Sequence, residues 1–216
     1  HKQDIYKPYF DKIEYTSSVT EPTISVICIS WRLDSDTLKN FQSLQEERHL
    51  NYELIFVDNG GQPGEFDSLK KYVDTYIRLN RNSGAYLARN VGALFAEAPI
   101  LLFLEDDGLP APGFIAAHLE AFQHYDVISV RGVYRPKTQG HYLNSLAPHY
   151  YLGEKPFPHF VNLEGNASYD AQAFFSVGGW DDEIQFGHGG PELAYRLLGY
   201  APDYTKQIYS PAPVLY

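Results

Sequence analysis

Three consecutive carboxylates, Glu105, Asp106 and Asp107, follow the apolar run Leu101-Leu102-Phe103-Leu104 and stand just before Gly108. Like charges packed this closely disfavour one another unless something offsets them. A hard divalent cation bound through carboxylate oxygens is one such counterweight, and the same ion can hold a ligand's phosphates. An isolated Asp-Asp pair reads more plainly as a solvated turn, so the rest of the chain has to decide.

Four other groups of residues carry comparable chemistry. Asp58 ends an apolar run ahead of Asn59-Gly60-Gly61. A carboxylate there either accepts hydrogen bonds from a nucleobase N–H or a ribose hydroxyl, or caps its own turn. Asn82-Ser83-Gly84 opens a helical stretch that carries Arg89 one turn in, placed either to reach a diphosphate or base edge or simply to lie on an amphipathic surface. Trp180 follows Gly178-Gly179 and precedes Asp181 and Asp182. An indole face and adjacent acids can hold a sugar, or the ring can anchor a loop from inside. His188 and Glu192 flank Gly189-Gly190-Pro191. Either can serve as a general base near neutral pH, against a surface histidine and a carboxylate favoured in a first helical turn.

The elements that must position these residues are legible as alternation. Residues 23–30 (TISVICIS) and 53–58 (ELIFVD) read as buried strands, as do 75–79, 100–104 and 126–133. Helices are expected at about 36–47, capped by Asp34 or Ser35, and at 65–73, 84–97 and 112–125. Strand–helix alternation of this kind predicts a mostly parallel central sheet flanked by helices, Rossmann-like, in one domain. Right-handed crossovers then gather the strand C-termini on one edge, where ligands bind in such sheets. Ser30-Trp31, Asp58 and Glu105–Asp107 all fall at those termini. Residues 1–22 read as an N-terminal arm and 134–162 as an irregular loop or insertion. After Gly165-Asn166-Ala167-Ser168 a short helix-like stretch is expected, then a helix from Pro191 and a final strand or strap over 205–216.

Composition removes several function classes. A net charge of −10 argues against a general nucleic-acid binder. It also means that a phosphorylated ligand needs a metal or local Arg and Lys. The lone Cys28 excludes an internal disulfide and fits a reducing compartment. No stretch approaches the length of a membrane span. The sequence begins at His1 and holds no Met, as expected of a piece of a longer protein. There is no GxGxxG after the first strand, no GxxxxGK[ST] and no GxSxG.

In order and spacing, ISVICIS, ELIFVDNGG, the NSG…ARNVG helix, FLEDD, GNAS and GGWDDE followed by ELAYRL resemble a family 2 glycosyltransferase of the GT-A fold. That resemblance covers residues 23 to about 200. It implies an inverting, metal-dependent transfer of a sugar from a nucleotide diphosphate sugar, a UDP-sugar by expectation, to a glycan or lipid-linked acceptor hydroxyl in polysaccharide or cell-surface glycan synthesis. It further implies a domain over 23–216, with a nucleotide-binding half at 23–110 and an acceptor-binding half at 111–216. By position, Ser30, Trp31 and Asp58 would line the nucleoside pocket, Arg89 would lie near base or diphosphate, and Asp106 near ribose or donor sugar. Asp107 would hold Mn²⁺ or Mg²⁺, and Trp180, Asp181 and His188 would face substrate. Gly189 and Gly190 stand where the family usually carries acids, so either Glu192 or Asp182 supplies the base, or the chain is an impaired module that binds sugar nucleotide or glycan without transfer. Arg32 replaces a usual small polar residue, and the sequence ends at Tyr216, where a histidine often follows. A cytoplasmic setting is expected, with peripheral association at the inner face of a membrane left open.

Overall fold

The computed structural model describes residues 2–137, 147–184 and 187–216. Helix α1 (Lys2–Tyr6) leads into strand β1 (Phe10–Tyr15), and β2 (Ser25–Ser30), α2 (Ser35–Leu44), β3 (Glu53–Asp58), β4 (Thr75–Leu79), α3 (Ala85–Leu94) and β5 (Ile100–Leu104) follow. Then come α4 (Phe114–His124), β6 (Ser129–Tyr134), α5 (Ala147–Tyr150), β7 (Phe157–Pro158), β8 (Ala167–Asp170), α6 (Ala171–Ser176), α7 (Gly189–Tyr200) and β9 (Gln207–Leu215). Among the described residues the strands form one sheet in the order β1-β4-β3-β2-β5-β8-β6-β9-β7.

The pairings β2–β3, β3–β4 and β2–β5 are parallel. Strand β8 runs antiparallel to both β5 and β6, and β9 is parallel to β6. The C-terminal ends of β2, β3, β5, β6 and β9 therefore share one edge with the start of β8. The period-two alternation of strand side chains feeds two layers. Ile27, Val57 and Phe103 pack with Leu87 and Val91 of α3 on one face. Val26, Cys28, Phe56 and Leu104 pack with Phe41 and Leu44 of α2 on the other. Strands buried on both faces read as continuous apolar runs, which is why β2, β3 and β5 were visible in the sequence.

Helix α2 starts where Asp34 predicts it. The Asp34 carboxylate accepts from the Asp36 N–H (2.9 Å), and its own N–H donates to Thr37 Oγ1 (3.3 Å), a reciprocal cap. Two elements differ from expectation. Within the segment read as an unpatterned arm, Phe10–Tyr15 pairs antiparallel with β4 at the sheet edge. Its Asp11, Lys12 and Glu14 are the charges that keep an edge strand from pairing further. Residues 167–170, expected to run toward a helix, first form β8, and the helix begins only at Ala171. Of the irregular 134–162 segment, residues 138–146 lie outside the described residues. No helix among the described residues is long and apolar enough to cross a membrane.

Candidate active site

The strand register brings the separated acids together. Ser30 is level with Asp58 across β2–β3, and Cys28 is level with Leu104 across β2–β5. Asp106, two residues past Leu104, thus lies beside Ser30, two residues past Cys28. The turn that carries the acids is held by its backbone. Asn40 Nδ2 of α2 donates to the Glu105 carbonyl (2.8 Å), and Lys137 Nζ donates to the Asp107 carbonyl. Lys137 also reaches the Asp36 carboxylate at 2.7 Å. These bonds fix the backbone of the acidic turn without engaging the Asp107 carboxylate.

The three acids have different surroundings. Glu105 pairs with Arg89 at 3.1 Å. Burial raises its carboxyl above the usual range while the guanidinium opposes the rise. Asp106 is half-buried and is also raised, by burial first, with the Ser30 hydroxyl pulling it down and the Asp107 charge pushing it up. Asp107 is exposed, and among the described residues no cationic side chain pairs with its carboxylate. No three His, Cys, Asp or Glu side chains among the described residues form a ready-made cation cage. A magnesium-like ion needs none, since it is commonly held by one or two carboxylates together with substrate phosphates. An exposed, unpaired carboxylate at a strand terminus fits that donor set.

Asp58 ends β3 as expected, but it is fully buried. Its Oδ1 accepts the Gly61 N–H and its Oδ2 the Tyr76 hydroxyl, each at 2.7 Å. The turn-capping alternative is what the structure displays: Asp58 shapes the Gly60-Gly61 turn beside Ser30, with no surface of its own for a ligand. Trp31, by contrast, is 57% exposed, with the Arg32 guanidinium 5.5 Å from its ring centre. It offers a flat ring at the edge, next to Ser30.

Trp180 does not face a substrate surface, as the resemblance implied, but lies inside the core. It is 2% exposed, stacked on Tyr86 at 5.6 Å and edge-on to Phe103 at 5.3 Å, a core ring rather than a sugar platform. Its neighbours are engaged locally: Asp181 Oδ1 accepts from the Glu183 N–H at 3.0 Å, and Asp182 accepts from the Tyr6 hydroxyl at 2.6 Å. Glu192, offered as a base, is gripped by Arg196 through both carboxylate oxygens, the Nε contact at 2.5 Å. Arg196 in turn donates to the Val177 carbonyl. His188 is exposed and has a left-handed backbone (φ 63°) at the start of α7.

One carboxylate that sequence reasoning passed over stands next to the residue that packs on Glu105. Glu164 Oε1 accepts from the Tyr86 hydroxyl (3.0 Å) and the Gly190 N–H (3.2 Å). Its neighbour Gly165 lies directly against Glu105, where an added Cβ would come within 2.3 Å of Glu105 Cγ. The motif read as GNAS begins one residue too late to include it.

The family model described as Glycosyl transferase family 2 matches residues 25–178. The uncharacterized glycosyltransferase YfnE of Bacillus subtilis (strain 168) is 26% identical over 102 residues, 45% of this chain and 26% of that protein. From the same organism, the glycosyltransferase TuaG, whose name assigns it provisionally to teichuronic acid biosynthesis, is 32% identical over 92 residues. That match covers 40% of this chain and 36% of TuaG. These matches thus span only about a quarter to a third of the relatives' own length. A crystal structure of S. aureus TarS residues 1–349 superposes with a TM-score of 0.68 at 14% identity, covering 88% of this chain and 61% of that one. At that identity it speaks to the GT-A-type α/β fold alone. Since the family model spans well over half of the residues, the chain belongs to glycosyl transferase family 2.

Proposed function

We propose that this domain transfers a sugar, with inversion, from a nucleotide diphosphate sugar, UDP-linked by preference, to a glycan or lipid-linked acceptor hydroxyl in polysaccharide or cell-surface glycan synthesis. The single observation that carries this reading is the shared edge. Neighbouring parallel strands deliver Ser30-Trp31, the Asp58 turn and Asp106-Asp107 side by side, with the Asp107 carboxylate unpaired among the described residues.

The exposed Trp31 ring stacks the base, and Ser30 with the Asp58-braced turn sets the floor beneath it. Asp58 acts through Gly61 and Tyr76 rather than by direct contact. Mn²⁺ or Mg²⁺ would be held by Asp107 and would supply charge stabilisation to the departing diphosphate. Asp106 faces ribose or donor sugar. Arg89, paired with Glu105, keeps a positive charge beneath the acids in a protein whose net charge of −10 otherwise repels the donor. The nucleotide half runs over residues 23–110 and the acceptor half over 111–216. The setting is the cytoplasm, at the inner face of a membrane when the acceptor is lipid-linked; the provisional assignment of TuaG to teichuronic acid biosynthesis supports a glycan acceptor.

Titration calorimetry with UDP and Mn²⁺ tests this. Heat of binding that depends on Mn²⁺ in the wild type and disappears in Asp107→Ala is expected. Absence of binding in the wild type, or equal binding in the variant, would refute it.

A further inference from the structure

Attack by an acceptor hydroxyl requires a group to take its proton, and the two carboxylates proposed from the sequence are engaged elsewhere, Asp182 with Tyr6 and Glu192 with Arg196. The geometry points to Glu164 as the general base of the proposed transfer, an assignment that rests on the glycosyltransferase reading of the site. Three observations converge on it.

First, Glu164 is half-buried and oriented. Its Oε1 is fixed by the Tyr86 hydroxyl and by the Gly190 N–H in the first turn of α7, while Oε2 has no bond to any described residue. A carboxylate held by one oxygen and open at the other is the form a positioned base takes. Second, its charge reaches the acidic edge. The Tyr134 hydroxyl feels Glu105, Asp107 and Glu164 together, and Glu105 feels Glu164. Physical continuity runs from Glu105 to Arg89 (3.1 Å), from Arg89 over the Tyr86 ring (5.7 Å), and from Tyr86 to Glu164 (3.0 Å).

Third, the start of α7 is shaped around this carboxylate. A Cβ at position 189 would fall 2.2 Å from Tyr86 Cε1, and one at position 190 would fall 2.9 Å from the Asn162 and Leu163 backbone. The helix therefore cannot carry its own acid at either position while Tyr86 and Glu164 sit where they do.

The step balances without any further reagent. The acceptor O–H proton passes to Glu164, the acceptor oxygen bonds to the anomeric carbon, and the bond from that carbon to the diphosphate oxygen breaks with its electron pair leaving on the nucleotide. Among the described residues, Tyr86 of α3 bonds Glu164 directly, and Glu105 at the end of β5, Tyr134 of β6 and Tyr169 of β8 feel its charge.

Glu164→Gln preserves an acceptor for Gly190 and Tyr86, so the fold is kept while the proton site is removed. The experiment measures UDP release from UDP-glucose, UDP-galactose and UDP-N-acetylglucosamine with Mn²⁺ and water as acceptor, alongside UDP affinity by calorimetry. Release by the wild type is expected. In the variant the rate drops about 100- to 10,000-fold, and UDP affinity is unchanged. A variant that releases UDP at the wild-type rate overturns this assignment alone and hands the proton to another group such as His188. A wild type that neither binds nor turns over any of these donors overturns the transfer reading along with it.

Discussion

The histidine that anchors the back of the site gives a prediction with a defined size. His118 of α4 is fully buried, with Nδ1 2.8 Å from Ser168 Oγ and Nε2 3.0 Å from Asn166 Oδ1. Asn166 spends its Nδ2 on the Val133 and Pro213 carbonyls, at 2.9 and 3.1 Å. Its Oδ1 is therefore an acceptor, which places the imidazole proton on Nε2 and leaves Nδ1 to accept from Ser168. The network ties α4 to the starts and ends of β8, β6 and β9 at the edge where Glu164 sits. Burial lowers the His118 pKa from 6.5 to about 4, with Asn166 opposing. The unfolded chain therefore binds a proton that the folded one refuses. Stability conferred by the neutral imidazole is complete above about pH 6.5 and is lost as pH falls toward 4. At 1.36 kcal/mol per pKa unit this amounts to about 3 kcal/mol. Glu53, Glu105 and Asp106, raised by burial, work in the opposite direction, since acid relieves their buried charge. Comparison of the wild type with His118→Gln cancels them. Urea unfolding near neutrality and at about pH 4.5 should show the wild type losing roughly 2–3 kcal/mol more than the variant over that interval. Equal losses in the two proteins would refute the buried neutral imidazole.

Two further outcomes follow from the same geometry. Gly189→Ala drives a methyl into the Tyr86 ring, which cannot swing away because it stacks on Trp180 at 5.6 Å. A loss of about 1–3 kcal/mol is expected, and an unchanged melting temperature would contradict the contact. Trp31→Ala removes an exposed ring, so stability should stay within about 0.5 kcal/mol while UDP binding weakens by about 1–3 kcal/mol. Unchanged affinity would remove Trp31 from the proposed nucleoside pocket.

What the sequence made legible follows physical lines. Strands β2, β3 and β5 are buried on both faces, so their apolar runs announced them and placed Ser30, Asp58 and Asp106 on one edge. Strand β8 offers only Ala-Ser-Tyr-Asp, too short and too polar to show a period, and it owes its place to pairing on both sides. The two tryptophans show the limit for side chains. Gly-Gly-Trp-Asp-Asp suggests a sugar platform, yet Trp180 fills a core of Phe103, Tyr169 and Phe174, and exposure belongs to Trp31. Burial depends on partners distant in the chain, which local composition does not reveal. Asp58 was correctly located, but its bond to Tyr76 crosses 18 residues of chain. Glu164 was missed for the same reason, since its neighbours Tyr86 and Gly190 lie 78 residues before it and 26 after it.

The central claim is that the rim formed by β2, β3 and β5 holds a metal-bound nucleotide diphosphate. Crystals grown with UDP and Mn²⁺, with data collected for the manganese anomalous signal, test it most directly. The expected map shows a manganese peak at the Asp107 carboxylate, the diphosphate bridging from it, and the uracil against the Trp31 ring. A nucleotide bound in another cleft, or a peak remote from Asp107 with UDP in place, would contradict it.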